Sequence, residues 1–508
     1  MDTQFVTEHI AETLPGKRVP LGDLRRMPVV DAYEADCATL LETRGERCLA
    51  YYGNKENGRS VFRCVVANDE TGMVKILSQE HAKSWPKSMG SIAQRVPGMH
   101  LFEREMQENF GIQFEGHPWP KPLRYAFDRA DQAAKMADFP FYKIDSNELH
   151  EVGVGPIHAG VIEPGHFRFL CNGETVLNLE IQLGWQHRGV EALMRNKESL
   201  LARTVLAESI SGDTAIGHAT AQVQTMEGLA EIEISDSLHL ERAIALELER
   251  IAIHVGDLSA MCTDVAYQLG SATFGALRTP IINFLQSWCG NRFGKGLVRA
   301  GGSHYPLKAN LKNALQKMLA DFKAQFSLVA EHTFNLSSVQ KRFEGIGTIT
   351  TAQAKTLGAA GMAARMAGLR RDARWSHPSR AYQMVEVEPI VLDTGDVWAR
   401  GMLRKLEIEQ SISLILEMLP LHTPTSETPL RNLSLKPDSW ICTLTEGWRG
   451  EIVHCAGTDA QGNLQHYKIK DPSFHNWVAL ELSLRDLEIS DFPINNKSYD
   501  LSYCGFDL

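Results

Sequence analysis

The sequence predicts an α+β protein, in which a small N-terminal α/β domain is followed by a large, mainly helical domain with short β-hairpins. Three observations predict this organisation. The N-terminal part combines a hairpin pattern with one short helix, the middle contains long amphipathic helices, and the C-terminal part returns to short strands. A chain of 508 residues has room for roughly two to four domains.

The N-terminal α/β domain is predicted over residues 31–123, after a loose lead-in at residues 1–30. Residues 48–66 contain two apolar runs that flank a Gly-Asn-Lys-Glu-Asn-Gly segment, which indicates a β-hairpin. A helix is predicted over residues 101–112. The charged, weakly periodic residues 124–150 are interpreted as a linker to the second domain.

The second domain is predicted over residues 151–508 and is dominated by long helices. It opens with two strand-like runs on either side of Asn172-Gly173, which is a strong hairpin signal. Apolar residues then recur at spacings of three and four in three stretches, as in helices with one buried face. These stretches are residues 240–258, 311–329 and 402–418. The expected core is a bundle of long helices, and short strands return after Trp448.

The composition is that of an ordinary globular protein. Apolar residues make up 44% of the chain, charged residues make up 22%, and the net charge is −10. No long block of Lys and Arg provides a footprint for nucleic-acid phosphates, and no apolar run reaches the roughly 20 residues that span a bilayer. The first residues lack the apolar region of a signal peptide. We therefore expect a protein of the cytosol, or of the cytoplasmic face of a membrane, held there by partners.

Nine cysteines are scattered along the chain, and no two of them have the C-x-x-C spacing. Iron–sulfur clusters require closely spaced thiolates. In a cytosolic chain, scattered cysteines are mostly small core residues. We therefore expect that this chain alone binds no iron–sulfur cluster.

The segment GWQHRGVEALM places three polar residues in one short span, namely His187, Arg188 and Glu191. If Arg188 begins a helix, Glu191 lies one turn further on nearly the same face. A buried glutamate near an arginine can relay protons, because desolvation and charge pairing together set its pKa. The alternative is a helix-terminal salt bridge without a chemical role.

Several long motifs together resemble a known pair of fused modules. FEREMQENFGIQFEGHP, at residues 102–118, resembles the signature of the 30 kDa-type subunit of respiratory complex I. Five later segments resemble its 49 kDa-type subunit and the related large subunit of energy-converting, group 4 NiFe-hydrogenases. They are GPIHAGVIEPGHFRF (155–169), GWQHRGVEALM (184–194), LELERIAIHVGDL (246–258), GAAGMAARMAGLRRDARWSHP (358–378) and DTGDVWAR (393–400). The resemblance implies a hydrogenase-large-subunit-like second domain fused to a 30 kDa-type domain.

The resemblance also shows where the nickel-binding cysteines of the family should be, and this chain lacks them. The family site uses two C-x-x-C pairs, because thiolates are soft ligands that hold nickel and bridge it to iron. Placing His218 on the family histidine puts Ser211 and Thr214 at the first pair. The C-terminal motif puts Ser502 and Gly505 at the second pair. We therefore expect no nickel, no other cofactor held by this chain, and no hydrogen chemistry.

In complex I the corresponding cavity binds a quinone headgroup, using a histidine on the N-terminal hairpin loop and a tyrosine on the helix that replaces the first cysteine pair. The loop here carries His158 and His166, whereas the tyrosine position falls on or near Gly212. The neighbouring Asp213 offers a polar group there. By this resemblance, the two histidines would donate hydrogen bonds to a quinone and deliver protons, which suits side chains that titrate near neutrality. The alternative is that they are ordinary turn histidines.

Three functional hypotheses follow from the resemblance. The first is a peripheral-arm subunit of a membrane-bound, NADH-quinone oxidoreductase- or hydrogenase-like complex, which passes electrons from a partner iron–sulfur cluster to a quinone-like acceptor with proton coupling. The expected partners are a small iron–sulfur subunit facing the His187–Glu191 motif, other peripheral-arm subunits and antiporter-like membrane subunits. Any NADH would bind elsewhere, since the chain has no dinucleotide fingerprint. The second hypothesis is a catalytically empty scaffold, and the third is a NiFe-hydrogenase or formate hydrogenlyase subunit with altered ligands.

Overall fold

Strands and one amphipathic helix build the N-terminal part of the protein. The computed structural model describes residues 10–24, 26–27, 33–81, 84–158 and 162–508. Within them, the N-terminal elements are β1 (Ile10–Thr13), β2 (Val19–Pro20), β3 (Arg26–Met27), α1 (Tyr33–Glu42), β4 (Glu46–Glu56), β5 (Arg59–Asn68), β6 (Met73–His81), β7 (Ser88–Gly90), α2 (His100–Phe110) and β8 (Gln113–Glu115). Strands β1, β6, β5 and β4 lie side by side in that order, and β3 pairs with β6.

The predicted N-terminal hairpin is confirmed as the β4–β5 pair. Its two strands run antiparallel and are joined at Asn57-Gly58. Both turn residues have positive φ, 49° and 77°, as the twist-compatible two-residue turn requires. The predicted helix is also confirmed as α2, which ends at Gly111 in the left-handed conformation.

The segment interpreted as a loose lead-in is partly ordered, which corrects that interpretation for its described residues. β1 pairs with β6, and β2 pairs with a strand near the C-terminus, so that Val19 lies opposite Trp440. Residues 1–9, 25 and 28–30 of the lead-in lie outside the described residues. Residues 124–149 contain turns and one short 3₁₀ helix, Met136–Asp138. The domain boundaries themselves stay predictions.

Long helices dominate the second part, as predicted. Its elements are β9 (His150–Val154), β10 (His166–Asn172), β11 (Thr175–Gln182), α3 (Val190–Asn196), α4 (Leu200–Ala207), α5 (Ala215–Ala230), α6 (Asp236–Asp264), α7 (Gln268–Cys289), α8 (Ala309–Asn335), α9 (Ser337–Phe343), α10 (Thr351–Leu357), α11 (Met362–Arg365), α12 (Ala373–Ser376), α13 (Val397–Leu421), β12 (Ser439–Glu446), β13 (Glu451–Thr458), β14 (Leu464–Lys470), α14 (Ser473–Ser483), α15 (Phe492–Tyr499) and α16 (Tyr503–Asp507). The three stretches with helical periodicity lie in α6, α8 and α13. No helix among the described residues is long and apolar enough to cross a membrane.

Helix α6 is the central element of this domain. It begins at Ser235, whose hydroxyl accepts a hydrogen bond from the backbone N–H of Leu238. It packs against α7 and α13. Leu248, Ile251 and Val255 are completely buried, so this helix contributes both to the apolar core and to the polar interior described below.

A second sheet connects the two ends of the chain. Strands β14, β13, β12 and β2 lie side by side, and β14 packs against β4 of the N-terminal sheet. The Trp440 Nε1–H donates a 2.9 Å hydrogen bond to the Tyr52 hydroxyl across this contact. The turn between β12 and β13 points into the helical domain, where it meets the candidate site.

Candidate functional site

Two segments of the chain carry the four positions that the family resemblance assigns to cysteines, and a third segment, the β12–β13 turn, lies between them. Ser211 and Thr214 lie just before α5. Ser502 lies just before α16, and its hydroxyl accepts a 2.9 Å hydrogen bond from the backbone N–H of Gly505. Between them lies Arg449, from the β12–β13 turn. We call this region the thiolate-free pocket.

An ion pair occupies the first side of this pocket. Arg449 Nη1 and Nη2 each lie 2.6 Å from a carboxylate oxygen of Asp213. Arg449 Nη1 is also 3.2 Å from the hydroxyl oxygens of both Ser211 and Thr214. Arg449 is buried, whereas the Asp213 side chain is 33% exposed. The predicted polar group at Asp213 is therefore bound by an arginine that the sequence did not suggest.

A row of four buried side chains lines the second side. His218 Nε2 lies 3.0 Å from Asp471 Oδ2, and its Nδ1 lies 3.3 Å from His454 Nε2. His454 Nδ1 in turn lies 2.8 Å from the Tyr467 hydroxyl. All four side chains are at most 5% exposed. We call Asp471, His218, His454 and Tyr467 the buried row.

Burial and hydrogen bonding set the charges in this row. Burial raises the pKa of Asp471, but the hydrogen bond from His218 and the charge of Arg449 lower it below its usual value. Burial lowers the pKa of His454 well below its usual value, so this ring is neutral near pH 7. Burial also raises the pKa of Tyr467. The row therefore consists of a carboxylate, two histidines and a protonated tyrosine.

One hydrogen-bond arrangement satisfies every atom of this row. The Tyr467 hydroxyl donates to His454 Nδ1, His454 Nε2–H donates to His218 Nδ1, and His218 Nε2–H donates to Asp471. A neutral imidazole has one donor and one acceptor nitrogen, so each tautomer follows from the previous one. In this tautomer assignment, three protons of the row point toward the carboxylate. The same contacts also allow the opposite direction, in which His218 Nδ1–H donates to His454 Nε2 and His454 Nδ1–H donates to the Tyr467 oxygen.

The residues of the thiolate-free pocket do not fit a nickel site. A Cβ atom added at Gly505 would lie 2.5 Å from the carboxyl carbon of Asp471, so a cysteine there requires this carboxylate to move. Ser211 uses its hydroxyl to donate a 2.8 Å hydrogen bond to Asp213. Among the described residues, no group of three or more His, Cys, Asp or Glu side chains is arranged to hold a metal ion. Soft thiolate ligands, which the family site requires, are not present at any of the four positions.

The structure changes the interpretation of the His187–Glu191 motif. Helix α3 begins at Val190 rather than at Arg188, and the salt bridge of the alternative interpretation is not formed between Arg188 and Glu191, whose partners are different. Arg188 instead donates to the backbone carbonyls of Ser209 (2.7 Å) and Ile210 (3.0 Å). It therefore fixes the loop that leads to the thiolate-free pocket.

Glu191 is bound by the last strand of the second sheet. It accepts a 2.9 Å hydrogen bond from the Ile469 backbone N–H and lies 3.1 Å from Lys468 Nζ. Lys468 Nζ also lies 2.6 Å from Glu105 of α2, and Glu105 pairs with Arg124. Glu191 therefore belongs to an ion network that joins the two domains. Its role in proton transfer stays a prediction.

His187 contacts a carboxylate-bearing residue that the sequence motifs did not indicate. Its Nδ1–H donates a 2.6 Å hydrogen bond to the backbone carbonyl of Asp507. The Asp507 carboxylate accepts from the backbone N–H groups of Gly184 and Gln186, both at 2.8 Å. Burial raises the pKa of Asp507 to about 7, although these hydrogen bonds oppose the shift. Asp507 is thus a buried carboxyl whose pKa lies near neutrality, unlike that of Asp471.

The two hairpin-loop histidines lie close to the C-terminal segment. His158 Nε2–H donates a 2.9 Å hydrogen bond to the Gly165 carbonyl. His166 packs against Phe141, with 5.2 Å between ring centroids, and burial lowers its pKa. A Cβ atom at Gly165 would lie 2.6 Å from the ring of Tyr503, so only glycine fits at this contact. Residues 159–161 of the loop lie outside the described residues.

The tyrosine of the quinone pattern has no counterpart at Gly212, which is exposed. A different tyrosine, Tyr503, reaches the loop from the opposite side of the pocket. It is 6% exposed and packs on Trp477, with 4.8 Å between ring centroids. In the sequence, Tyr503 is marked only by its position directly before Cys504 and Gly505. It therefore lies in the motif of the second cysteine pair, whereas the family pattern places the tyrosine at the first pair.

Behind the pocket lies a group of seven buried charged residues, which we call the charged cluster. Its members are Glu247, Arg250, Arg365, Asp372, Arg374, Glu407 and Glu446. Arg365 is its centre, at 2.8 Å from Glu407 and 2.7 Å from Glu446. Arg250 connects the cluster to the β12–β13 turn by donating to the backbone carbonyls of Glu446 and Gly447. The same turn carries Arg449.

Comparisons with known proteins identify both modules. Residues 38–133 match the family described as respiratory-chain NADH dehydrogenase, 30 Kd subunit, and residues 270–435 match the corresponding 49 Kd subunit family. Hydrogenase-4 component G of Escherichia coli is 26% identical over 452 residues, which cover 86% of this chain and 78% of the relative. Formate hydrogenlyase subunit 5 of the same organism is 25% identical, with 82% and 76% coverage.

A relative from the quinone oxidoreductases has the same fused organisation. The NADH-quinone oxidoreductase C/D subunit of Phocaeicola vulgatus is 25% identical over 439 residues, which cover 79% of this chain and 83% of the relative. The fusion that the motifs predicted is thus found in relatives from both the hydrogenase and the quinone oxidoreductase branches. The chain therefore belongs to the family of fused 30 kDa-type and 49 kDa-type subunits that respiratory NADH dehydrogenases share with group 4-like hydrogenases.

Proposed function

We propose that this chain is a peripheral-arm subunit of a membrane-bound oxidoreductase complex, in which electrons from a partner iron–sulfur cluster reach a quinone-like acceptor. Its relatives include NADH-quinone oxidoreductase subunits and a membrane-bound hydrogenase subunit. The observation that carries the proposal is the buried row, whose carboxylate Asp471 lies beside Gly505, one of the positions where the family pattern has a thiolate. In this proposal the chain supplies the coupled protons, and it holds neither nickel nor an iron–sulfur cluster.

The buried row can move a proton without moving its side chains. When Asp471 takes the proton of His218 Nε2, His218 Nδ1 can accept the proton of His454 Nε2. His454 Nδ1 then accepts the proton of Tyr467. Because burial raises the pKa of this tyrosine, the relay is complete only when a proton from outside the row reaches the Tyr467 oxygen. Each transfer follows an existing hydrogen bond, with donor–acceptor distances of 2.8–3.3 Å. A charge that arrives at the thiolate-free pocket can thus be matched by a proton at Asp471.

We propose that the small iron–sulfur partner binds at the face formed by the hairpin loop and α3. Exposed apolar side chains near this face are Ile157 (82%), Leu193 (38%), Leu201 (55%) and Val205 (46%). Apolar groups that are exposed together are typical of protein contacts. Membrane-arm partners would then hold the chain at the cytoplasmic face of the membrane.

A quinone headgroup fits the present side chains only in part. His158 already donates its Nε2–H to the Gly165 carbonyl, and His166 begins β10 rather than lying on the loop. Asp213 and Arg449 bind each other at the first cysteine position. The same ion pair favours the second candidate function, a scaffold without chemistry of its own, because it fills space that a ligand would need. In the scaffold alternative, the protons of the buried row are not used.

Asp471→Asn separates the two functions. The asparagine keeps the size of the side chain but cannot take a proton, so we expect quinone-dependent turnover of the purified complex to fall about a hundredfold. Asp321→Asn, on the exposed surface of α8 with a 59% exposed side chain, serves as the control and should leave turnover unchanged. Unchanged turnover in Asp471→Asn, with normal complex assembly, would support the scaffold instead.

A further inference from the structure

Three neighbouring cavities lead from the surface to the charged cluster. The outer groove has a volume of about 860 Å³ and is open to solvent. The middle chamber has about 20 Å³ and the inner chamber about 70 Å³. The inner chamber also reaches the surface beside the exposed residues Lys355 and Thr356. The groove and the middle chamber share the lining residues Gln224, His239, His377, Ser379 and Leu444. The middle and inner chambers share Ala373 and Glu446, so Glu446 lies at their junction.

Buried polar atoms indicate that the two chambers suit water. Thr220 and Arg242 line the middle chamber, and His475 lines the inner chamber. The atoms in question are Thr220 Oγ1, Arg242 Nε and His475 Nδ1. None of these three atoms has a hydrogen-bond partner among the described residues. Buried polar atoms are almost always hydrogen-bonded, and a cavity of roughly 10–15 Å³ already admits one water molecule.

The charged cluster contains four carboxyl groups and three guanidinium groups. Its carboxyl groups are Glu247 (α6), Asp372 (preceding α12), Glu407 (α13) and Glu446 (β12), and its guanidinium groups are Arg250 (α6), Arg365 (α11) and Arg374 (α12). Four carboxylates thus face three permanent cations. The nearby His254 is neutral, because burial lowers its pKa to about 4. On the other side of Glu446, the inner chamber is also lined by the cations Arg47, Lys355, Arg371 and Lys470 and by the carboxylates Glu46 and Glu451.

Among the four carboxyls, Glu446 is the one suited to bind a proton. Burial, together with the charge of Asp372, raises its pKa to about 7, although Arg365 opposes the shift. Arginine neighbours hold the pKa of Glu247 and of Asp372 at about 2 despite their burial. Arg365 likewise holds the pKa of Glu407 well below its usual value.

We propose that Glu446 is a proton acceptor that solvent supplies through the outer groove and the two chambers. A proton from chamber water forms an O–H bond on a Glu446 carboxylate oxygen, and no electron is transferred. Its ion pair with Arg365, at 2.7 Å, then loses one of its two charges. Glu446 ends β12, and the turn that follows it carries Arg449, so the protonated residue lies three positions before the arginine that binds Asp213. We call the outer groove and the two chambers the proton inlet. Its role in the complex rests on the proposed function, but whether it supplies protons to Glu446 can be tested separately.

Infrared spectroscopy of the purified full chain tests the acceptor. The difference between wild type and Glu446→Gln should contain a carboxylic-acid C=O band that disappears as the pH rises through about 7. Glu481→Gln is the matched control, since burial also raises the pKa of Glu481 to about 7 but this residue lines neither chamber. A spectrum in which Glu446→Gln removes no such band overturns the proposal.

Exchange into heavy water tests the route. Thr220→Leu and Ala243→Leu each add bulk to the middle chamber, and we expect them to slow deuterium exchange of the Glu446 band at least about tenfold. If Thr220→Leu does not fold, Thr220→Val removes only the unpartnered hydroxyl and tests the same point. Wild-type exchange rates in the folded variants would exclude this route. None of these measurements needs quinone turnover, so the inlet can stand even if the proposed function fails.

Discussion

Replacing Arg365 with alanine should lower the free energy of unfolding of the full chain by at least about 4 kcal/mol. Arg365 is completely buried, and it binds Glu407 and Glu446 at 2.8 Å and 2.7 Å. Removing one partner from a buried ion pair leaves uncompensated charge and costs about 3–5 kcal/mol. Arg365→Ala removes the shared partner of two carboxylates, so its effect should lie in the upper part of this range. Urea unfolding of wild type and variant measures the difference.

The loss of unfolding free energy in Arg365→Ala should be larger at neutral pH than in acid. In wild type, Arg365 lowers the pKa of Glu407 despite burial, so this carboxylate stabilises the fold above its unfolded-state pKa of about 4.3. In Arg365→Ala the folded-state pKa rises, and protonation at low pH removes part of the penalty. The difference from wild type should therefore be larger at pH 7 than at about pH 5.

Arg370→Ala is the matched control for this prediction. Arg370 lies on the same segment, but its side chain is 52% exposed and pairs with an exposed Glu388. Such a surface substitution should change stability by no more than about 0.5 kcal/mol. Equal effects of Arg365→Ala and Arg370→Ala would contradict the central role of Arg365.

Lys468→Met should weaken the connection between the two domains. Lys468 is 6% exposed on its side chain and binds Glu105 of the N-terminal domain and Glu191 of the second domain. Methionine keeps the length of the side chain but leaves Glu105 with Arg124 as its remaining cation. We expect a loss of about 3 kcal/mol, measured by urea unfolding.

The sign of the pH dependence follows from Glu105. Burial by itself raises the pKa of Glu105, but the charges of Lys468 and Arg124 outweigh burial and lower this pKa to about 2. A carboxyl with a lowered folded-state pKa stabilises the fold above about pH 4.3, and this stabilisation disappears as the pH falls toward 2. The difference between wild type and Lys468→Met should therefore shrink in acid. Lys317→Met, at a 79% exposed lysine, should have no measurable effect, and a constant difference across pH would refute the assignment.

Local sequence patterns predicted the regular elements well. The Asn57-Gly58 turn and the apolar periodicity of α6 act over a few residues, so that each segment contains its own signal. The strands β1 and β2 were missed because their partners are distant in sequence. Val19 lies opposite Trp440, and no local pattern in residues 10–20 specifies such a pairing.

The same distinction applies to the candidate site. Counting from His218 located Ser211 and Thr214, because the family motif is local. The partners of these residues were not predictable, since Arg449 lies 236 residues from Asp213 and Asp471 lies 253 residues from His218. Tertiary packing alone decides which buried charges meet. The polar group was therefore predicted at Asp213, but its ion pair and the buried row were not.

The most direct test of a nickel-free pocket is the metal content of the purified, intact complex together with its hydrogen-oxidising activity. Ser211, Thr214, Ser502 and Gly505 offer no thiolate, and the Asp471 carboxylate occupies the space beside Gly505. We expect nickel far below one atom per copy of this chain and no hydrogen oxidation by this subunit. One nickel atom per chain, released when Asp471 or His218 is substituted, would contradict this expectation.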